Sequence, residues 1–378
     1  MRVKGIIWAV LILLIAIFAL WAWGRIVARD TELHLTQSET DINPSLKSLN
    51  GRILAWSTTA NVPFDIRFGE GRTSFFELLG VPKSYRPFDI KIGRAPVRNE
   101  WNVAAVALSF NNGLPLVRYL TEKQETFLHT NISADGRFVV ATRETMNSQN
   151  LIRFRLSDSS RGPVAPSSSF DRWPSCTADG SRILFHSYRD GNPGGDLYIA
   201  EENSSVSGGW DVLRLTDSPE VEYILPRISA DGSSFAAVER EIGTESGRVV
   251  LFRIRNNSSI EPVYLTDLSD DARFPSLDSS GELCAFQAKS DDGIRLFLWS
   301  PATGQREIEP LPESETDNLD YTQPTISPDG KFISFVLNSP LYHANKIGIY
   351  DIERDLYILL EGCDGSVMFP ALSNPVAK

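Results

Sequence analysis

Cysteine is scarce in this chain. The three present, Cys176, Cys284 and Cys363, are too few and too scattered to build a disulfide framework or a zinc site. Cys284 stands inside an apolar run and reads as a small core residue, and a single bridge between two of the three is left open. Reaction motifs are missing as well. There is no Gly-x-Ser-x-Gly nucleophile elbow, no phosphate-binding Gly-rich loop with its Lys, no His-Glu-x-x-His and no Cys-x-x-Cys pair. Those absences exclude the common hydrolase, nucleotide-triphosphatase, zinc-protease and thiol-redox readings. Positive charge is also in deficit, at a net −11. The only charges before Asp30 are Arg2, Lys4, Arg25 and Arg29, so the body from residue 30 carries 33 basic and 48 acidic groups. A body of that sign lacks the basic footprint of a nucleic-acid binder, and its acidity serves solubility.

What is present is a repeat. Residues 324–336 read PTISPDGKFISFV, and versions recur at 130–142 (TNISADGRFVVAT), 174–186 (PSCTADGSRILFH), 226–238 (PRISADGSSFAAV) and 275–287 (PSLDSSGELCAFQ). Two worn copies lie at 45–57 (SLKSLNGRILAWS) and 370–376 (PALSNPV). The position held by Asp329 falls at 50, 135, 179, 231, 280, 329 and 375, with spacings of 85, 44, 52, 49, 49 and 46. A near-constant period in the high forties marks an array of one supersecondary unit.

Within a unit the pattern is that of strands. In 324–369, Thr325–Ser327 reads as a first strand opened by a proline, Pro328-Asp-Gly as a hairpin turn, and Lys331–Leu337, Lys346–Asp351 and Leu356–Leu360 as three more strands. No helical period is visible, and several units close on a similar phrase: RYLTE at 118–122, RLTDS at 214–218 and YLTDL at 264–268. Four short antiparallel strands per unit describe a propeller blade. The worn copies explain each other if Pro370–Asn374 is the innermost strand of the blade whose other strands start at Gly51. The fold class expected is therefore all-β, a six-bladed propeller closed by the C-terminal strand, spanning residues 45–378. The 85-residue interval holds an insertion at 58–101 within the first blade.

Ahead of the array, residues 5–24 (GIIWAVLILLIAIFALWAWG) are uncharged and mostly apolar, long enough to cross ~30 Å of hydrocarbon as a helix. Trp21 and Trp23 sit where rings favour the interface. The run reads as a transmembrane signal anchor, with a cleavable signal peptide as the alternative. Residues 25–44 read as a polar linker.

The repeats resemble the TolB-type propeller repeat, a WD40-like repeat with a Ser-Pro-Asp-Gly turn. TISPDGKFISFV at 325–336 lies close to that consensus, and RISADGSSFAAV and CTADGSRILFH are variants of it. TolB proper carries an α/β domain ahead of its propeller, and the resemblance is read without it. It implies the propeller and, more loosely, an extracytoplasmic binding or scaffolding role. Some TolB-like propellers, the oligogalacturonate lyases, bind manganese near the channel through histidines. Here His129, His186 and His343 fall at or near one face by strand connectivity, so the resemblance raises a divalent metal in the channel; three unrelated histidines are the bland reading.

Connectivity also puts the residues before each first strand at the channel mouth. Trp173, Leu225, Phe274 and Phe369 share one repeat position and read as packing between blades, whereas Arg172, Arg273 and Tyr321 are the candidates for lining the mouth. The insertion leaves from the same face. Its Phe75, Phe76, Tyr85, Arg86, Phe88 and Arg94 have the aromatic-plus-arginine character of interface anchors. Phe76, Tyr85 and Arg86 join the expected ligand-binding set. The sequence thus points to a membrane-anchored propeller outside the cytoplasm, binding another protein or a cell-envelope component through that face. A metal-dependent carbohydrate lyase or hydrolase at the channel mouth is the alternative. No cofactor is expected beyond that metal.

Overall fold

An Asp-Gly pair between two alternating apolar runs folds each repeat back on itself, and the next two strands continue the meander. The computed structural model describes residues 48–59, 101–108, 118–121, 125–206, 209–255, 259–310, 319–338, 345–361 and 366–376, with short strands at 34–36, 64–68, 73–74 and 90–94. These residues form six antiparallel sheets of four strands or more. Blade 1 is the composite one: Val367–Leu372 is innermost, followed by Ile53–Thr58, Asn102–Ala107 and Arg118–Tyr119. Blades 2 to 5 begin with the innermost strands Thr126–Ile132, Asp171–Cys176, Val221–Ile228 and Arg273–Leu277. Blade 6 runs Asp320–Ile326, Phe332–Asn338, Lys346–Asp351 and Leu356–Glu361. The expected closure by the C-terminal strand is what the fold uses.

The core lies between blades, because strand alternation sends successive side chains to opposite neighbours. Leu54 and Trp56 pack with Phe332, Ile347 and Ile349 of blade 6, while Ala55 packs with Phe127 and Val139 of blade 2. Cys284 is fully buried in the blade 4–5 core. The shared phrase ending each unit has a defined task. Thr121, Thr216 and Thr266 accept hydrogen bonds through Oγ1 from the backbone N–H groups of Val103, Leu197 and Val249, at 2.9–3.1 Å. The threonine thereby ties the end of the outermost strand to the start of the third.

The Asp-Gly turns join the blades into a ring. The Asp231 carboxylate accepts from the Ser229 hydroxyl (2.6 Å) and the Ser233 backbone N–H (2.9 Å), which fixes the turn. Turn then bonds to turn through the backbone: Asn374 N–H to the Ala134 carbonyl (2.8 Å), Asp135 to Ala178 (3.0 Å), Ala178 to Ala230 (2.8 Å), Asp231 to Ser279 (3.1 Å) and Ser279 to Pro328 (2.7 Å). The remaining junction, blade 6 to blade 1, is made by Arg52. Its buried guanidinium forks onto Asp329 (3.1 and 2.5 Å) and donates to the Ser373 carbonyl (3.0 Å). At Gly180 the turn needs more than φ +69°: an added Cβ would stand 2.9 Å from the Phe138 ring of blade 2.

Three features differ from the sequence reading. The innermost strands begin before the proline rather than at it. Blade 6's runs from Asp320, with Pro324 inside a β-bulge, a place that tolerates its missing N–H. The linker is not wholly outside the sheets, since His34–Thr36 adds a fifth strand along Leu359–Glu361. The insertion contains a three-stranded sheet of Phe64–Phe68, Ile90–Arg94 and Thr73–Ser74. The expected anchor at 5–24 lies outside the described residues, among which no helix is long and apolar enough to cross a membrane.

Candidate functional site

Every innermost strand carries the same bulge. Two of its residues oppose one on the next strand, and the first of the two has left-handed backbone: His129 (φ 58°), Trp173 (55°), Leu225 (54°), Phe274 (53°), Gln323 (53°) and Phe369 (54°). Left-handed backbone costs a non-glycine residue roughly 1–2 kcal/mol, and six such residues at one level point to a shared purpose. The bulge turns these side chains toward the propeller axis, where they meet. The His129 ring centroid is 4.9 Å from that of Phe369 and 5.7 Å from that of Trp173, and Phe274 reaches Phe369 at 6.1 Å. Leu225 packs with Trp173 and Phe274. Gln323 accepts the Phe369 N–H through Oε1 (2.8 Å). The four residues expected to pack between blades thus pack on one another, with His129 and Gln323, and divide the channel into two halves.

The upper half opens on the rim where the insertion is rooted. Thr58 and Asn102 are paired Cα to Cα on adjacent strands, so the insertion leaves and re-enters blade 1 at one point of this rim. Arg172 lies here with its guanidinium 5.1 Å from the Trp173 ring and 5.2 Å from that of Tyr188. Among the described residues it has no carboxylate partner, and its buried Nε is without a hydrogen bond. Neighbouring rim arginines are all engaged: Arg189 with Asp171, Arg214 with Asp196, Arg240 with Glu222 and Arg248 with Glu239.

The other expected site residues are placed differently. Arg273 is held by the Glu245 carbonyl (2.7 Å) and Asp271 (3.2 Å). Tyr321 does not line the mouth: it is 1% exposed, stacked on Phe335, because the alternation of its strand turns it into the blade 5–6 core. Phe76, Tyr85, Arg86 and His343 lie outside the described residues. His129 and His186 both pack against Trp173, at 5.7 and 5.3 Å between centroids. His186 donates from Nε2 to the Gly194 carbonyl (3.0 Å), leaving Nδ1 buried without a partner. Burial, then the charges of Arg227 and Arg172, push His129 down to about 3. Burial takes His186 to about 4 against the pull of its Gly194 bond. Both are neutral near pH 7. Among the described residues no three His, Cys, Asp or Glu side chains stand together to hold a metal ion.

The lower half opens toward the Asp-Gly turns, and the sequence reading did not anticipate it. Each blade contributes one residue at the second position after the left-handed one: Asn131, Ser175, Arg227, Ser276, Thr325 and Ala371. The level below, at Ala134, Ala230 and Pro328, belongs to the turns themselves. Arg227 is the single charge in that set, and its departure from the repeat was the signal available in the sequence.

No protein-family model matches the chain, and none of the curated proteins matches it. Solved structures do. TolB from Acinetobacter baumannii superposes with a TM-score of 0.56 at 15% identity, over 86% of this chain and 67% of that one. A putative TolB from Agrobacterium tumefaciens matches at 0.50 and 15%, over 68% and 93%. A chain of a nidogen–laminin complex matches at 0.53 and 8%, over 73% and 96%. At these identities the likeness is one of fold.

Proposed function

We propose, on the premise that the chain is a TolB-like six-bladed propeller, that it is a membrane-anchored binding scaffold. In this reading residues 5–24 hold it in the bilayer, the propeller stands outside the cytoplasm, and a protein or cell-envelope component docks on the upper face. The observation that carries the reading is Arg172. A guanidinium set between two aromatic rings, with no partner of its own among the described residues, is the kind of anchor that dominates interfaces. The 58–101 insertion, pinned to the same rim, supplies the second contact. A fold shared with TolB and with a chain of a nidogen–laminin complex supports a docking role in general terms.

The base of the insertion makes the test clean. Thr59 bonds to Ser366 and Trp101 accepts from Phe127, so both are kept. Residues 60–100 are replaced in the full chain by Asn-Gly, which closes a tight hairpin. The replaced protein is expected to melt within a few degrees of the parent and to lose the partner captured by crosslinking in intact membranes. Arg172→Ala is expected to weaken that capture by roughly tenfold or more, the usual effect of removing an interface anchor. Unchanged capture by both variants would refute the reading.

A further inference from the structure

The lower half of the channel is a small well with one charged side chain, Arg227, among the polar side chains of Asn131, Ser175, Ser276 and Thr325. Arg227 lies in it, 7% exposed, and the one hydrogen bond of its side chain among the described residues is from Nη1 to the carbonyl of Pro226, at 3.3 Å. No carboxylate of the described residues pairs with it, and burial lowers its pKa to about 10. An uncompensated buried guanidinium is costly, and a fold keeps one where something else neutralises it. The neighbouring blades add hydroxyls. Ser175 Oγ accepts the Ile228 N–H and Ser276 Oγ accepts the Ile326 N–H, each at 3.1 Å, which leaves each hydroxyl proton to be donated. Thr325 stands at the same level.

We propose that this well binds one carboxylate group, entering from the Asp-Gly face, with Arg227 as its fork and the Ser175 and Ser276 hydroxyls as further donors. A planar guanidinium matches a carboxylate with two parallel hydrogen bonds. The space open to the centre of a water molecule is about 30 Å³, enough for a small headgroup and too little for a nucleotide. The turns at the entrance carry Asp135, Asp179, Asp231 and Asp329, so a singly charged anion meets less repulsion there than a phosphate dianion. Two sources share this chemistry, a free small carboxylate and the C-terminus of a polypeptide. The site is independent of the upper face, and its failure would leave the docking reading intact.

The test is thermal denaturation of the purified full chain in detergent, titrated with sodium acetate at constant ionic strength against chloride. The wild type is expected to show a saturable rise in melting temperature. Arg227→Met is expected to melt higher than wild type without acetate, having lost a buried charge, and to show no acetate response. Ser276→Ala is the second variant, expected to keep the fold and weaken acetate about fivefold, the worth of one hydrogen bond. A tripeptide with a free C-terminus that outperforms acetate, and an amidated one that does nothing, would assign the ligand as a chain end. Acetate active with both peptides silent would assign a free small molecule. No rise in the wild type, an equal rise in Arg227→Met, or a larger Arg227-dependent rise with inorganic phosphate would overturn the proposal.

Discussion

Asp329 is held as a carboxylate by its neighbours. Burial alone would raise its pKa, but the Arg52 fork and the Ser327 hydroxyl outweigh that and keep it below the ordinary aspartate value; Asp179 and Asp231 are lowered in the same way by Ser and Thr of their own turns. Their stabilising contribution is present above pH 3.8 and is lost as pH falls through their lowered values. The histidines act earlier. An unfolded His129 takes a proton below about 6.5, whereas the folded one resists to about 3, so the unfolded chain binds more protons and stability falls as pH drops across that window. His129→Phe puts at blade 2 the residue that Phe274 and Phe369 already are in the ring. Urea midpoints measured from pH 7 to pH 4 should fall less steeply for this variant, with the remaining slope owed to His186 and the acids. Parallel curves for the two proteins would show that the ring does not hold His129 neutral.

At the scale of elements, the turns were legible and the bulges were not. Asp-Gly between apolar runs specifies a hairpin through local chemistry alone, and its spacing shows that the hairpin is repeated. The bulge depends on a count of two residues against one across a strand pair. Local rules also point away from it: Trp173, Leu225, Phe274, Gln323 and Phe369 each precede a proline, which favours extended backbone, yet each is left-handed. A first strand that begins at the proline leaves out the ring, and with it the position of Arg227 beneath. Tyr321 lies away from the mouth for the same reason, since its strand starts before its proline and turns it into the blade 5–6 core. Packing between strands offers a sharp check on blade 6. Gly348 sits opposite Phe335, and an added Cβ would stand 2.1 Å from the ring. Gly348→Ala should destabilise the protein by about 1–3 kcal/mol, read as a lower denaturation midpoint with an unchanged slope. A neutral effect would mean that Phe335 has room to move that the blade 5–6 core does not show.

For the molecule as a whole, the fold gives the two faces different work. The Asp-Gly face welds the ring, through five turn-to-turn backbone bonds and the Arg52–Asp329 fork across the closing junction. The opposite face carries the base of the insertion and the unpaired Arg172. Propeller, blade number and closure followed from the repeat period, because a ring of stacked sheets is the way such units bury both faces. The candidate site followed only in part. Arg172 is legible from its repeat position, while the division of the channel by its aromatic ring is a long-range arrangement of six bulges. The central claim is that the partner docks on the insertion face. A photo-crosslinking residue placed in intact membranes at Tyr85 within the insertion or at Tyr188 on the rim where the insertion is rooted, and at Arg137 or Lys331 on the Asp-Gly side, tests it most directly. Adducts from Tyr85 and Tyr188 alone are the result expected; adducts formed equally or preferentially from Arg137 and Lys331 would contradict it.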